Sequence, residues 1–218
     1  MGLRTRLRLA KLYLVTDART EQGDLGDFLA EVFAGGVDMV RISDPQLNAA
    51  ETVAAFEVAR KAAAPGQRLV VADRGLDLAD RIRPDVVHLD VDADFADARG
   101  SLHEWALVGC TVRTSDQAVT VGDQADYLSV ALPPDQLASW SAEHPADAEM
   151  PWFYGGGLSL SSLDAVINAG ARRVIVGRAL CTAADPKAAA QEWSQRLRTA
   201  WNEDPAMKQY TFRAMAEK

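Results

Sequence analysis

WFYGGGLSLSSLDAVINAGARRVIVGR, residues 152–178, reads as one complete strand, helix, strand repeat. Trp152 to Gly155 is a short aromatic run that leads into glycines. Leu160 to Ala169 places Leu160, Leu163, Val166 and Ile167 at helical spacing, and Arg173 to Val176 is a second short run rich in valine and isoleucine. Gly170 stands where that helix must stop, because glycine takes the left-handed C-cap conformation at little cost. Strands that alternate with helices in this way form parallel sheets.

The same repeat extends toward the N-terminus. Further apolar runs cover Leu12 to Thr16, Met39 to Ser43, Arg68 to Ala72, Val86 to Leu89, Ala106 to Thr111 and Tyr127 to Ala131, which brings the count to eight. Between and after them, Leu25 to Ala34, Ala49 to Ala64, Leu76 to Ile82, Ser115 to Val121 and Pro186 to Trp201 have helical periodicity, and Gly35-Gly36 marks another helix end. An open doubly wound sheet usually has about five or six strands, whereas eight with alternating helices suit a closed barrel. The expected fold is therefore α/β, a single (β/α)8 TIM barrel over residues 1–201. A short basic segment with Arg4, Arg6, Arg8 and Lys11 begins it, and residues 202–218 form a C-terminal tail or helix extension.

The totals narrow the function classes. The chain has 218 residues, of which 48% are hydrophobic and 25% charged, enough to bury one sizeable core. A formal net charge of -8 repels a polyphosphate backbone, so nucleic acid is not an expected partner. There is neither an apolar core of signal-peptide length near the N-terminus nor a run long enough to span a membrane, which predicts a cytoplasmic protein with no membrane partner. Cys110 and Cys181 lack metal-ligand spacing and read as small buried hydrophobes.

Barrels of this kind build their sites at the carboxyl ends of the strands, so the residues that follow each run carry the information. Asp17 follows the first run, Asp44 the second, Asp73 the third, and Asp90 with Asp92 the fourth. Carboxylates converging on one mouth repel one another unless a cation sits among them, and hard oxygen ligands suit Mg²⁺ that shares a phosphate. The alternative is that each aspartate caps the next helix, the preferred reading for Asp17 and Asp44.

Gly155-Gly156-Gly157 after the seventh run and Gly177-Arg178 after the eighth are placed to cradle a phosphate with backbone N–H groups. Arg178 adds either a charge-assisted contact to that anion or a surface ion pair. His88, inside an apolar run, reads as a core histidine hydrogen-bonded within the barrel. His103 and His144 have no partner at catalytic spacing.

Taken together, these residues resemble thiamine phosphate synthase and its thiazole tautomerase relatives, over Leu12 to about Leu197. The resemblance rests on Leu12-Tyr13-Leu14-Val15-Thr16-Asp17-Ala18-Arg19, Ala34-Gly35-Gly36-Val37-Asp38, Ala72-Asp73-Arg74, Val87-His88-Leu89, Ala125-Asp126-Tyr127 and Trp152-Phe153. Ala169-Gly170-Ala171-Arg172-Arg173-Val174 looks like the actinobacterial form. The resemblance implies a transferase that joins a pyrimidine pyrophosphate to a thiazole phosphate with Mg²⁺. On it, Asp73 and Asp92 match the metal-ligating aspartates. Gly156, Gly157, Gly177 and Arg178 match the phosphate pocket, and Thr111 falls near the family's serine. Self-association is in keeping with the family.

The chain departs from the synthase pattern at several of its charged positions. Where the family reads Gln-Leu-Arg-Asp-Lys, this sequence has Arg41-Ile42-Ser43-Asp44-Pro45. Ala72 replaces an asparagine, Arg113 a histidine, and Leu132-Pro133-Pro134-Asp135-Gln136 a Thr-Pro-Thr-Lys loop. Loss of one preorganised group that stabilises developing charge typically costs about 10²- to 10³-fold in rate. The first expectation is thus a divergent member that binds a phosphorylated thiamine-pathway ligand, with synthase activity reduced or lost. Arg41, Thr111 and Arg113 are its candidate substrate-binding residues, the two arginines restoring positive charge in a new geometry. A working synthase and a non-catalytic interaction barrel are the alternatives.

Overall fold

Each of the eight runs is a strand, and the strands pair in chain order into a closed parallel barrel in the computed structural model, which describes residues 1–73 and 75–216. The order is α1 (Leu3–Leu9), β1 (Leu12–Thr16), α2 (Leu25–Gly35), β2 (Met39–Ile42), α3 (Ala49–Ala63), β3 (Leu69–Asp73), α4 (Ala79–Ile82), β4 (Val86–Leu89) and α5 (Phe95–Ser101). The second half continues with β5 (Leu107–Val112), α6 (Ser115–Val121), β6 (Tyr127–Val130), α7 (Leu137–Glu143), β7 (Trp152–Tyr154), α8 (Leu160–Asn168), β8 (Val174–Val176), α9 (Arg178–Cys181), α10 (Pro186–Glu203) and α11 (Pro205–Ala216). Closure comes from β1 against β8, with Leu12 opposite Val174 and Leu14 opposite Val176.

Successive strand residues face opposite sides of the sheet, which sorts the core into two layers. Tyr13, Met39, Leu69, Val71, Val86, Leu107, Tyr127 and Phe153 fill the barrel interior. Their neighbours Leu14, Val40, Val70, Val87, Val108, Leu128 and Val174 face outward, against Phe28, Leu29, Val32, Leu163, Trp193 and Leu197 of the helices.

Two glycines set the helix packing. Gly36 ends α2 with φ 107°. Gly35 is required by a close approach instead: a Cβ there would lie 2.5 Å from the Lys187 carbonyl oxygen of α10.

The amino ends of the strands are closed by α1. Its Leu7, with Ala10, joins the interior cluster, while Arg4 pairs with Asp126 at 2.9 Å. Asp38 and Asp126 hold strand starts. Asp38 accepts from the N–H groups of Lys11 and Leu12, and Asp126 accepts from that of Val108.

The segment expected as a C-terminal tail or helix extension is a helix, α11, with a small core of its own. Met207, Tyr210 and Ala214 of α11 bury against Trp201. Beneath them lies Arg173, fully buried, which donates to the carbonyls of Ala146 and Arg8 and stacks on the Trp201 and Tyr210 rings at 4.9 and 5.0 Å. Burial lowers the Arg173 pKa to about 10. Burial likewise lowers that of Lys11, whose Nζ lies 4.2 Å over Trp201, to about 8. The expected helix Leu76 to Ile82 divides into a 3₁₀ turn, Gly75–Leu78, and α4.

Candidate functional site

The inward alternation continues past the apolar layers into a polar ring at the carboxyl ends of the strands. Arg41 is one step beyond Met39 on β2, and its side chain is 16% exposed. Among the described residues its Nε has no hydrogen-bond acceptor, and it lies 3.8 Å from Asp73 Oδ1. The other Asp73 oxygen accepts from Ser43 Oγ at 2.5 Å. Burial pushes the Arg41 pKa down, but Tyr13, Asp73, Tyr127 and Asp90 outweigh it and leave it raised, so the guanidinium is permanently charged. Ser43 and Asp73 also line a cavity of ≈ 360 Å³ with Ile42, Leu47, Phe56 and Ile82, a volume suited to a small ligand group.

Across the barrel runs a buried hydrogen-bonded chain. His88 Nε2 is 2.7 Å from Thr111 Oγ1, His88 Nδ1 is 3.0 Å from the Tyr127 hydroxyl, and that hydroxyl is 3.3 Å from the Tyr13 hydroxyl. Burial, and then the Arg41 charge, hold the His88 pKa well below the usual 6.5. The ring is therefore neutral, with one nitrogen donating and the other accepting. His88 is the hydrogen-bonded core histidine that the sequence suggested, and its outer partner Thr111 is half-buried at the mouth. Ser129 stands opposite Thr111 in the β5–β6 register, also facing inward.

The glycine turns follow adjacent strands, since β7 and β8 pair through Tyr154 and Val174. Gly156 and Gly157 have φ 145° and 66°, in or near the region that favours glycine, and a Cβ at either would meet open space. Among the described residues, neither N–H is bonded to another protein group. Gly177 is needed for a different reason: a Cβ there would approach the Val15 carbonyl oxygen to 3.2 Å. Arg178 is exposed and forms no ion pair among the described residues, so the surface-pair alternative is not realised. Arg113 is also exposed, in the turn after β5, where its N–H donates to Gln117 Oε1 at 2.6 Å.

The acidic residues do different work from one another. Asp17 and Asp44 cap no helix, contrary to the preferred sequence reading. Asp17 accepts from the Arg19 N–H, and Asp44 from those of Gln46 and Ala18, so both brace turns, while Asn48 caps α3. Asp92 is exposed in the turn after β4. The inward parity of Val86 and His88 continues to Asp90, whose charge acts on Arg41. Arg74, part of the quoted resemblance, lies outside the described residues. Burial raises the Cys110 pKa to about 11, which leaves it a thiol.

The described side chains of this mouth do not by themselves make a Mg²⁺ site. Among the described residues, no group of three or more His, Cys, Asp or Glu side chains is placed to hold a metal ion. The one inward aspartate of the expected pair, Asp73, is already engaged by Ser43 and Arg41. A unit-charge pair about 4 Å apart interacts by about 4 kcal/mol at an effective dielectric of 20, so a divalent ion at Asp73 competes with and is repelled by the guanidinium.

Ser43 and Ser129 were not among the sequence-derived site residues, and Asp90 was named there only as one of the acids that follow the strands. Extension of each strand's period-two parity by one step finds all three.

The thiamine monophosphate synthase family model matches residues 12–180. Thiamine-phosphate synthase of Thermobifida fusca is 39% identical over 212 residues, covering 89% of this chain and 95% of that protein. The Mycobacterium tuberculosis thiamine-phosphate synthase is 36% identical, covering 90% and 98%. Thiamine phosphate pyrophosphorylase from Pyrococcus furiosus superposes with a TM-score of 0.78 at 20% identity, covering 91% of this chain and 99% of that one.

Proposed function

Because the chain belongs to the thiamine monophosphate synthase family, we propose that it binds a phosphorylated thiamine-pathway ligand in the barrel mouth, with the capacity to join pyrimidine pyrophosphate to thiazole phosphate reduced or lost. The observation that carries this reading is the open glycine turn at Gly156 and Gly157, beside Gly177 and Arg178, where among the described residues the two turn N–H groups are unbonded and Arg178 forms no ion pair. Backbone donors of this kind suit a phosphate, and Arg178 adds a charge-assisted contact. Thr111 and Ser129 offer hydroxyls to the remainder of the ligand. Reduced turnover is supported by Ser43 and Pro45, which carry no charge where the resembled pattern has arginine and lysine, and by Ala72, which lacks the amide of the pattern's asparagine. No helix of the described residues is long and apolar enough to cross a membrane. The unpaired thiols of Cys110 and Cys181 suit a reducing cytoplasm, and the net charge of -8 argues against nucleic acid as a partner.

A second reading, a working synthase, is favoured by the names of relatives 36–39% identical over most of the chain. Calorimetric titration with thiamine phosphate, on the intact protein and on Gly156→Asp, tests the first reading: binding is expected in the former and lost in the latter. Absence of binding in both overturns it. Product formation from the two phosphorylated precursors at rates typical of the relatives overturns the loss of activity and establishes the second reading.

A further inference from the structure

We propose that Arg41 is the fixed cation of this mouth and stands in for a metal ion, so that the barrel binds a pyrophosphate group without Mg²⁺. The proposal rests on the reading of the mouth as the ligand site, not on the glycine turn. Arg41 is held inside the barrel by strand parity and by Asp73, and the 3.8 Å separation leaves its Nε without an acceptor. Asp73 in turn is oriented by Ser43. The carboxylate that would ligate a metal is thus spent on positioning a guanidinium, the group that best matches a phosphate in planar, two-pronged contacts. A guanidinium cannot shed its charge near neutral pH, so it does the anion-neutralising work of a divalent ion without an exchangeable ligand shell. Thr111, set by His88, and Ser129 opposite it supply neutral donors across the same opening.

The test uses inorganic pyrophosphate as the probe on the intact protein. Binding is followed by calorimetry in EDTA and again in excess Mg²⁺, and Mn²⁺ binding is followed by electron paramagnetic resonance with and without pyrophosphate. The expected result is binding in EDTA, changed less than about twofold by Mg²⁺, with no protein-bound Mn²⁺ signal. Arg41→Gln is expected to weaken pyrophosphate binding in EDTA at least about tenfold, the scale of a lost hydrogen bond to a charged group. Arg41→Gln combined with Asp73→Asn, which leaves no orphaned carboxylate, is expected to show the same weakening. Binding that requires Mg²⁺, a protein-bound Mn²⁺ signal, no pyrophosphate binding in either condition, or pyrophosphate binding by both variants as tight as the parent's each overturns the proposal. Failure of thiamine phosphate to bind while Arg41-dependent pyrophosphate binding persists sinks the glycine-turn reading alone.

Discussion

His88 Nε2 lies 2.7 Å from Thr111 Oγ1, so a buried imidazole inside the barrel orients a hydroxyl at its mouth. Thr111→Val keeps the side-chain shape but leaves one buried ring nitrogen unsatisfied, which costs about 1–3 kcal/mol. Urea unfolding of Thr111→Val is expected to show that loss and Thr111→Ser to recover most of it. Identical midpoints for Thr111→Val and the parent would mean the bond contributes nothing.

The same imidazole makes stability depend on pH in one direction. Burial, with Arg41 as the nearby charge and Tyr127 and Thr111 as ring partners, holds its folded pKa well below 6.5. Between those two values the unfolded chain binds a proton that the folded chain does not. Stability is therefore fully present above pH 6.5 and falls as pH drops below it, by up to about 1.4 kcal/mol per pH unit. Unfolding between pH 7 and pH 5 should show this slope, and His88→Gln should make it shallower. A slope unchanged in His88→Gln would assign it to other groups.

Gly109 makes room for Tyr127. A Cβ at Gly109 would lie 2.0 Å from Tyr127 Cζ, inside the barrel, where neither strand can move aside. Gly109→Ala should displace the phenol, break its contact with His88 and cost about 1–3 kcal/mol or more. Thermal unfolding measures the loss. A fully stable Gly109→Ala protein would show the interior to be looser than described.

Arg173 joins α11 to the underside of the barrel through two carbonyls and two aromatic rings. Its replacement by alanine removes desolvated cation–π contacts and orphans those carbonyls, a loss of about 2–4 kcal/mol. Hydrogen exchange should show Arg173→Ala losing protection over residues 205–216 well before the barrel strands do. Uniform loss across the chain would mean that α11 and the barrel open as one unit.

Most of the fold was legible because the relevant forces act over a few residues. The eight strands appear within one or two residues of the apolar runs, and Gly36 and Gly170 end helices with φ 107° and 103°. The elements that escaped notice have thin apolar stripes. In α5 only Phe95 and Ala98 are buried, and in α1 only Thr5 and Leu7. The core contribution of α11 was hidden for another reason. Its partners, Trp201 and Arg173, are brought to it by the closed barrel rather than by any local pattern.

The sequence by itself determined the number and order of strands, the alternation of their side chains, and where the chain must turn on glycine. Side-chain alternation and the steric demands of a positive φ are local properties. Tertiary structure alone decided which inward groups meet. The Ser43–Asp73 bond and the Arg41–Asp73 pair span 30 and 32 positions, and the His88–Thr111 and His88–Tyr127 contacts 23 and 39. Such partners are set by strand register and barrel closure, which no single run of residues specifies. That geometry turns an arginine and an aspartate on neighbouring strands into a charged pair at the mouth.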